Sequence, residues 1–164
     1  MRRPYIKKYS IVLTAATLVL TLTGCSGAGP NAATRLIKQV TDGAEAAITT
    51  DGNDLSISNL LLVATPDGSA VLIGTIVNRT ETPDALLGIS AGGTTAEITG
   101  EQNLLQNAPI RFEGEQATSK AVFDGVGAEA GRNVTISLAF ARAGVVTKNV
   151  IIRDQRDDYK EITK

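Results

Sequence analysis

Residues 133–142 alternate strictly between apolar and polar or small side chains, and this alternation constrains the fold more than any other feature of the chain. A β-strand places successive side chains on opposite faces of a sheet, so the pattern predicts a strand with one buried face. Residues 145–153 follow across Ala143-Gly144, which predicts an antiparallel hairpin. The buried positions of the first strand are expected to be Val134, Ile136, Leu138 and Phe140.

Short strands with turns between them are predicted from residue 54 onward. Residues 55–65 and 70–77 are joined by Pro66-Asp67-Gly68, in which proline presets φ and glycine accepts a positive φ. Several such strands at regular spacing predict an all-β domain, an immunoglobulin-like antiparallel β-sandwich with about seven to nine short strands. The remaining strand candidates are 85–90, 94–99, 110–112 and 119–123.

The predicted domain boundaries follow from this pattern. Residues 54–153 form the β-sandwich domain, and residues 154–164 form a charged tail that is expected to fray. Residues 25–53 contain a tether and a lead-in to the domain. Helix, strand and irregular structure all remain open for residues 34–50, because the near-helical spacing of their apolar residues is interrupted at Gly43.

Residues 1–24 have the layout of a bacterial export signal. A basic start is followed by an apolar run at residues 11–22, which is shorter than the ~20 residues that a membrane-spanning helix needs. Leu22-Thr23-Gly24-Cys25 is similar to a bacterial lipobox. The similarity implies cleavage after Gly24, a diacylglycerol on the Cys25 thiol and acylation, for example by palmitate, of the new amino terminus. The predicted location is the outer face of the cytoplasmic membrane, and Arg2-Arg3 leaves Sec and twin-arginine export both open.

The composition excludes most catalytic and metal chemistry. The chain has no His and no Trp, its one Met is at position 1, and its one Cys is at position 25. Once Cys25 carries lipid, no imidazole, thiolate or thioether remains to bind zinc, copper, haem or an iron–sulfur cluster. Cleavage of the export signal also removes basic residues but no acidic ones. The remaining chain therefore has a net negative charge, which argues against binding nucleic acid. No enzyme activity, cofactor, catalytic residue or metal ligand is therefore predicted.

Three short motifs match functional patterns but lack the context that those patterns need. Gly88-Ile89-Ser90-Ala91-Gly92 matches the nucleophile elbow of serine hydrolases, which requires a base such as histidine. Residues 125–130 match a loose dinucleotide fingerprint, but the strand predicted from residue 133 leaves no room for the helix that binds pyrophosphate. Asp51-Gly52-Asn53-Asp54 lacks the spacing of a calcium loop. The first is predicted to be a strand that ends in a glycine turn, the second a glycine-rich loop and the third a solvated turn.

The order of several motifs resembles the extracytoplasmic copper chaperones of the PCuAC type. Within that group the chain is most similar to the LpqE-like lipoproteins of actinobacteria (mycobacteria and corynebacteria), which share the lipobox and a late Phe-x-x-Ala-Gly hairpin. The resemblance covers about residues 54–153 and implies a cupredoxin-like sandwich. The motifs that carry it are Asn78, Asp84-Ala85-Leu86-Leu87-Gly88-Ile89-Ser90, Ala96-Glu97-Ile98-Thr99 and residues 131–146.

The copper ligands of that family, two His and two Met, have no counterparts in this chain. The family's Val-Glu-x-His strand corresponds here to Glu97-Ile98-Thr99, and its His-x-Met segment corresponds to the stretch between Phe123 and Gly131. Soft Cu(I) prefers imidazole and thioether ligands over carboxylates and hydroxyls. The sequence therefore predicts a lipid-anchored cell-envelope protein with a non-catalytic domain that binds an envelope protein, a glycan or a lipid. A copper-chaperone relative is the alternative.

Overall fold

The computed structural model describes residues 41–164. The predicted export signal, Cys25, the tether and the first part of the lead-in lie outside the described residues. Among residues 41–164 no helix is long and apolar enough to span a membrane. The strands are β1 (Ala44–Ile48), β2 (Leu55–Ala64), β3 (Ala70–Asn78), β4 (Asp84–Ala91), β5 (Thr94–Thr95), β6 (Glu97–Gly100), β7 (Asn103–Leu104), β8 (Ile110–Arg111), β9 (Ser119–Phe123), β10 (Asn133–Phe140) and β11 (Gly144–Asp154), and a 3-10 helix follows at Asp157–Tyr159.

The strands form one mixed sheet that nearly closes on itself. Its path runs β5-β4-β10-β11-β2-β3-β9-β6, and β1, β7 and β8 pair with strands along this path. The first and last strands of the path, β5 and β6, are separated in sequence by Ala96 alone. The two ends of the sheet therefore lie close together.

The all-β prediction is confirmed, but the antiparallel sandwich is not. β11 runs parallel to β2, with Ile152 beside Leu62 and Asp154 beside Ala64. The sheet is mixed because β2 changes its partner along its length. Its first half pairs with β1 and its second half pairs with β11, with a register irregularity in between. The predicted number of strands is also too low, because two-residue strands such as β7 leave no readable alternation in a sequence.

Within the described part of the open lead-in, residues 44–48 form a strand. Asn59 lies at the irregularity in β2 with φ of 53°, and its Oδ1 accepts a hydrogen bond of 3.1 Å from the Gly43 N–H. A Cβ at position 43 would lie 2.2 Å from the backbone carbon of Asn59, so only glycine fits there. The Gly43 that obscured the helical pattern is thus the residue that lets β1 approach β2.

The two clearest predicted hairpins are present. β2 and β3 pair from Leu55 opposite Asn78 to Ala64 opposite Ala70, and their turn is closed by a 3.0 Å bond from the Gly68 N–H to the Thr65 carbonyl. β10 and β11 pair without interruption from Asn133 opposite Ile151 to Phe140 opposite Gly144. Both hairpins join two segments rich in apolar and β-branched residues by a turn that contains glycine, which is why the sequence predicts them well.

Two hydrophobic clusters lie on opposite faces of β2. The larger cluster fills the sheet interior and includes Leu62 and Phe123. The smaller cluster consists of Leu61, Val63 and Ile73, all at most 1% exposed, and Ile151, Tyr159 and Ile162 pack against it. Residues 155–164, which we call the C-terminal strap, therefore cover part of the outer face. The prediction of a frayed tail is wrong, because the strap carries apolar side chains that pack on this cluster.

Candidate functional site

The loop of residues 124–132, which joins β9 to β10, forms one wall of a cleft of about 190 Å³. Leu62 and Ile152 supply apolar surface at the ends of β2 and β11, and Val134 adds to it from β10. Glu129 and Arg132 are charged members of the lining. The remaining lining residues are Gly92, Val126, Gly127, Ala128 and Asn133.

A second depression of about 300 Å³ adjoins the first through Ile152, which lines both. Its other lining residues come from the end of the loop and the end of β11. They are Ala130, Gly131, Arg153, Asp154 and Arg156. Together the two depressions make a groove whose lining combines small and apolar residues with charged ones. Such a groove suits a ligand with apolar and polar parts.

Backbone hydrogen bonds hold the loop in place. The Gly68 carbonyl in the β2–β3 turn accepts bonds of 3.1 Å from the Gly127 N–H and 3.3 Å from the Ala128 N–H. At the other end of the loop the Gly131 N–H donates to the Ile152 carbonyl at 2.8 Å. Gly127 has φ of 67°, a left-handed conformation that favours glycine.

Each arginine along the groove faces a carboxylate. Arg132 pairs with Glu129 at 3.2 Å, Arg153 pairs with Asp42 at 2.8 Å, and Arg156 pairs with Asp154. Within the described part of the chain, the Nε of Arg153 is a buried donor without a hydrogen-bond partner. The groove is therefore close to neutral, with one spare donor beside it.

The arrangement does not fit a copper ion. Thr99 lies in β6 opposite Lys120 of β9, and the stretch after Phe123 is the 124–132 loop, with Asp124 and Glu129 as its only ionisable acids. Among residues 41–164 no three His, Cys, Asp or Glu side chains are grouped to hold a metal ion. Hydroxyl, ammonium and carboxylate groups are poor ligands for a soft ion.

The three motifs have the local structures that the sequence predicts. Ser90 lies within β4 opposite Ser137 and Thr95, and the chain continues into β5 rather than a helix. Residues 125–130 form a loop that leads into β10. Residues 51–54 belong to a turn in which the Asn53 N–H donates to the Thr50 carbonyl at 2.9 Å. No motif brings together the partners that its chemistry requires. The predicted lipidation residue, Cys25, lies outside the described residues.

The buried carboxylate of Asp84 has a role that the sequence alone did not reveal. Its Oδ1 accepts bonds of 2.8 Å from the Ala85 N–H and the Arg142 N–H, and its Oδ2 accepts one of 3.0 Å from the Ala143 N–H. The nearby buried Asn78 donates to the carbonyls of Thr82 and Leu104 at 2.9 and 3.0 Å. We call these contacts the Asp84 network. Both residues belong to the motifs behind the family resemblance, which was the available signal for them.

The sequence also gives no sign of a second polar cluster, which lies around Lys164. The Lys164 Nζ lies 2.7 Å from Asp67 Oδ2 and 2.8 Å from Asp124 Oδ1, and we call these three residues the Lys164 cluster. Hydrogen bonding to Lys164 and to Thr65 holds the pKa of Asp67 well below its usual range. Bonding to the two carboxylates, with Asp124 the larger cause, raises the pKa of Lys164. Nothing in a charged tail indicates which turn it will reach, so the sequence could not predict this cluster.

Comparisons with known proteins identify the fold. A scan against protein-family models finds no match, and a search of curated proteins finds none. Among solved structures, the copper-bound PCuAC domain from PmoF2 matches with a TM-score of 0.55 and 21% identity, covering 68% of this chain and 98% of that domain. The apo PCuAC domain from PmoF1 matches with a TM-score of 0.55 and 22% identity, covering 68% of this chain and 99% of that domain. The apo PCuAC domain from PmoF2 has a TM-score of 0.56 and 18% identity, covering 70% of this chain and 98% of that domain.

Proposed function

We propose that this protein is a cell-envelope lipoprotein whose PCuAC-fold domain binds a partner without catalysing a reaction. The observation that carries the proposal is the groove beside the 124–132 loop, whose lining combines small and apolar residues with charged ones of nearly balanced sign. The lack of His in the whole chain supports a binding role over a hydrolytic one. The partner class is an envelope protein, a glycan or a lipid.

The finer identity proposed is an LpqE-like actinobacterial lipoprotein. The lipobox and the late hairpin around Phe140 and Gly144 support it, and the PCuAC fold of the domain agrees with the wider resemblance. The cupredoxin-like sandwich that this family implies is likewise part of the proposal.

Lipid anchoring at Cys25 is tested by fractionation. Cys25→Ala is expected to move the protein from the membrane fraction to the medium, or to leave an unprocessed precursor. Two or three acyl chains bury enough methylene groups for stable attachment, whereas one chain does not. Retention of the variant in membranes at the mass of the processed protein would contradict lipidation.

The binding role is tested by cross-linking in intact envelopes followed by purification of the anchored protein. Ala128→Trp places an indole in the cleft and is expected to abolish capture of the partner. Ala117→Trp, at an exposed position of the β8–β9 connection, is the matched control and should leave capture unchanged. Equal capture by both variants would exclude the cleft as the binding site. Turnover of an ester, peptide or glycoside that is lost in Ser90→Ala would exclude a purely binding role.

Copper handling is the second candidate, and the comparisons favour it over the first. The solved structures that match include a copper-bound PCuAC domain. The donor atoms of the described residues favour the first candidate, because no His, Met or Cys is present among them.

Calorimetric titration of the chain from residue 25 onward with Cu(I) and Cu(II) separates the two candidate functions. We expect no binding tighter than roughly 10 µM, since carboxylates bind soft ions poorly. A nanomolar site would establish the chaperone function.

A further inference from the structure

The C-terminal strap is seated on the domain through apolar contacts. Tyr159 and Ile162 pack on the outer cluster of Leu61, Val63 and Ile73, which is almost fully buried. The Gln155 side chain also donates to the Ile162 carbonyl at 2.5 Å, which closes the strap on itself. The strap thus occupies a defined seat on the outer face of β2 and β3.

Lys164, two residues beyond Ile162, forms the Lys164 cluster, which joins two segments of the domain. Asp67 belongs to the β2–β3 turn, and Asp124 is the first residue of the 124–132 loop. Ser69 adds to the junction, since its Oγ donates to Asp124 Oδ1 at 3.2 Å and lies 3.4 Å from Lys164 Nζ. One ammonium group therefore bridges the turn and the loop.

The same turn holds the loop that lines the cleft. The Gly68 carbonyl, between Asp67 and Ser69, accepts the N–H groups of Gly127 and Ala128, and both of these residues line the cleft. The charges at the junction oppose this contact when Lys164 is absent. Asp67 and Asp124 are both acidic, and the negative charge of Asp67 acts against ionisation of Asp124, whereas Lys164 lowers the pKa of Asp124. Removing the ammonium leaves two carboxylates that repel each other across the contact.

We propose that the C-terminal strap controls the cleft: with Lys164 in place the 124–132 loop is held on the β2–β3 turn, and release of the strap lets the loop move away and opens the cleft. The proposal rests on the proposed function only in treating the cleft as the binding site. The three side chains of the cluster are 46–63% exposed, so salt screens their attraction. The strap is therefore a contact that a competing charged surface is able to release.

Amide hydrogen exchange in the full chain, without any ligand, tests this control. Lys164→Met is expected to speed exchange at Gly127 and Ala128 about two- to fivefold, the range set by the loss of an exposed ion pair. It is also expected to speed exchange at Ile162, whose N–H donates to the Tyr159 carbonyl in the strap. Lys160→Met is the matched control, because Lys160 lies in the same strap and its only ion pair among the described residues is an exposed 3.9 Å contact with Glu161. This control should exchange like the unaltered protein at all three amides.

A double variant separates electrostatic control from a general loosening of the fold. Asp124→Asn combined with Lys164→Met removes the repulsion while keeping an oxygen that accepts the Ser69 hydroxyl. Exchange at Gly127 and Ala128 should slow toward its original rate, because the repulsion is gone although the Lys164 bridge is still absent, and exchange at Ile162 should stay fast. Unchanged exchange at Gly127 and Ala128 in Lys164→Met would overturn the proposal, and so would a double variant that exchanges as fast as Lys164→Met at these two amides. Because no ligand enters the measurement, a failure of partner capture would leave this result unaffected.

Discussion

The two ends of β3 are held by polar contacts of opposite character. Beyond Asn78, at one end, the Asp84 network joins a buried carboxylate to three backbone N–H groups. Before Ala70, at the other end, the Lys164 cluster joins two exposed carboxylates to one flexible ammonium. Both use charge-assisted hydrogen bonds of 2.7 to 3.0 Å, so distance alone does not distinguish them.

The difference lies in what replaces each contact when it breaks. Water solvates Asp67, Asp124 and Lys164 as soon as they separate, so the net stabilisation from their pairing is small. Asp84 is only 6% exposed, so water replaces its hydrogen bonds poorly and its loss leaves backbone donors unsatisfied. The contacts of the Asp84 network are therefore expected to stay formed in the folded protein, whereas those of the Lys164 cluster are expected to open and close reversibly.

The largest expected effect is that of Asp84→Ala. It should lower the free energy of unfolding by about 2–4 kcal/mol, because the N–H groups of Arg142 and Ala143 lose a buried acceptor. Urea denaturation measures this loss, with Glu81→Ala, at an exposed position nearby, as the control. The loss should persist in 1 M salt. A loss no larger than that of the control would remove the distinction between the two ends.

Ile162→Ala tests the apolar seat of the strap. Ile162 is partly buried against the outer cluster, so truncating it should lower the free energy of unfolding by about 1 kcal/mol. Leu87→Ala, at a position that is 66% exposed, is the control and should have little effect. If the two variants lose equal stability in urea denaturation, the strap does not contribute through apolar contact.

Lys164→Met should have a smaller effect on the thermal midpoint than Ile162→Ala, and the effect should vanish in 1 M salt. Asp67 has its pKa lowered from 3.8, so its contribution is present above that pH and is lost as the pH falls through the lower folded value. Lys164 has its pKa raised from 10.5, so its contribution is present below that pH and is lost as the pH rises through the higher folded value. The effect should therefore be constant from about pH 5 to 9. A variation within that window would point to a different titrating group.

The smallest effect is expected for Asp158→Asn. Burial first, and then the charge of Asp158, raises the pKa of Glu113 above 4.5. Removing the charge should lower the pKa of Glu113 without bringing it to its ordinary value, because the burial remains. Carbon-detected NMR of the Glu113 carboxyl measures the change, and Asp157→Asn is the neighbouring control. An unchanged pKa would show that the strap does not lie close to Glu113.

Strand identity was largely predictable from the sequence, and strand pairing was not. β10 alternates over its whole length, and β11 follows it across a glycine turn, so local sequence specifies both. β11 pairs with β2, at Leu62 and beyond, only after the pairing of β1 with β2 has ended. The conformation of Asn59 sets the point where that pairing ends. An asparagine with positive φ inside a strand has no reliable sequence signature.

The candidate groove was less predictable than the fold. The stretch after Phe123 was identified as a glycine-rich loop, but its contact with the Gly68 carbonyl joins segments that are distant in sequence. In the sequence, Lys164 is one charge among several in the tail. Its ion pairs with Asp67 and Asp124 form only after folding brings the three residues together, so the sequence does not distinguish it. Asp84 was part of a recognised motif, yet its burial and its three donors are tertiary facts.

The parallel pairing of β2 with β11 also bears on how the chain reaches this structure. β2 is among the first strands of the domain and β11 is the last, so their contact closes a loop that spans nearly the whole domain. Contacts of such sequence separation slow folding, because the entropy of loop closure is lost before the contact forms. The edge of β2 that pairs with β11 therefore stays unpaired until the final strand has been synthesised. The sheet is complete only after the carboxyl-terminal strand of the domain has been added.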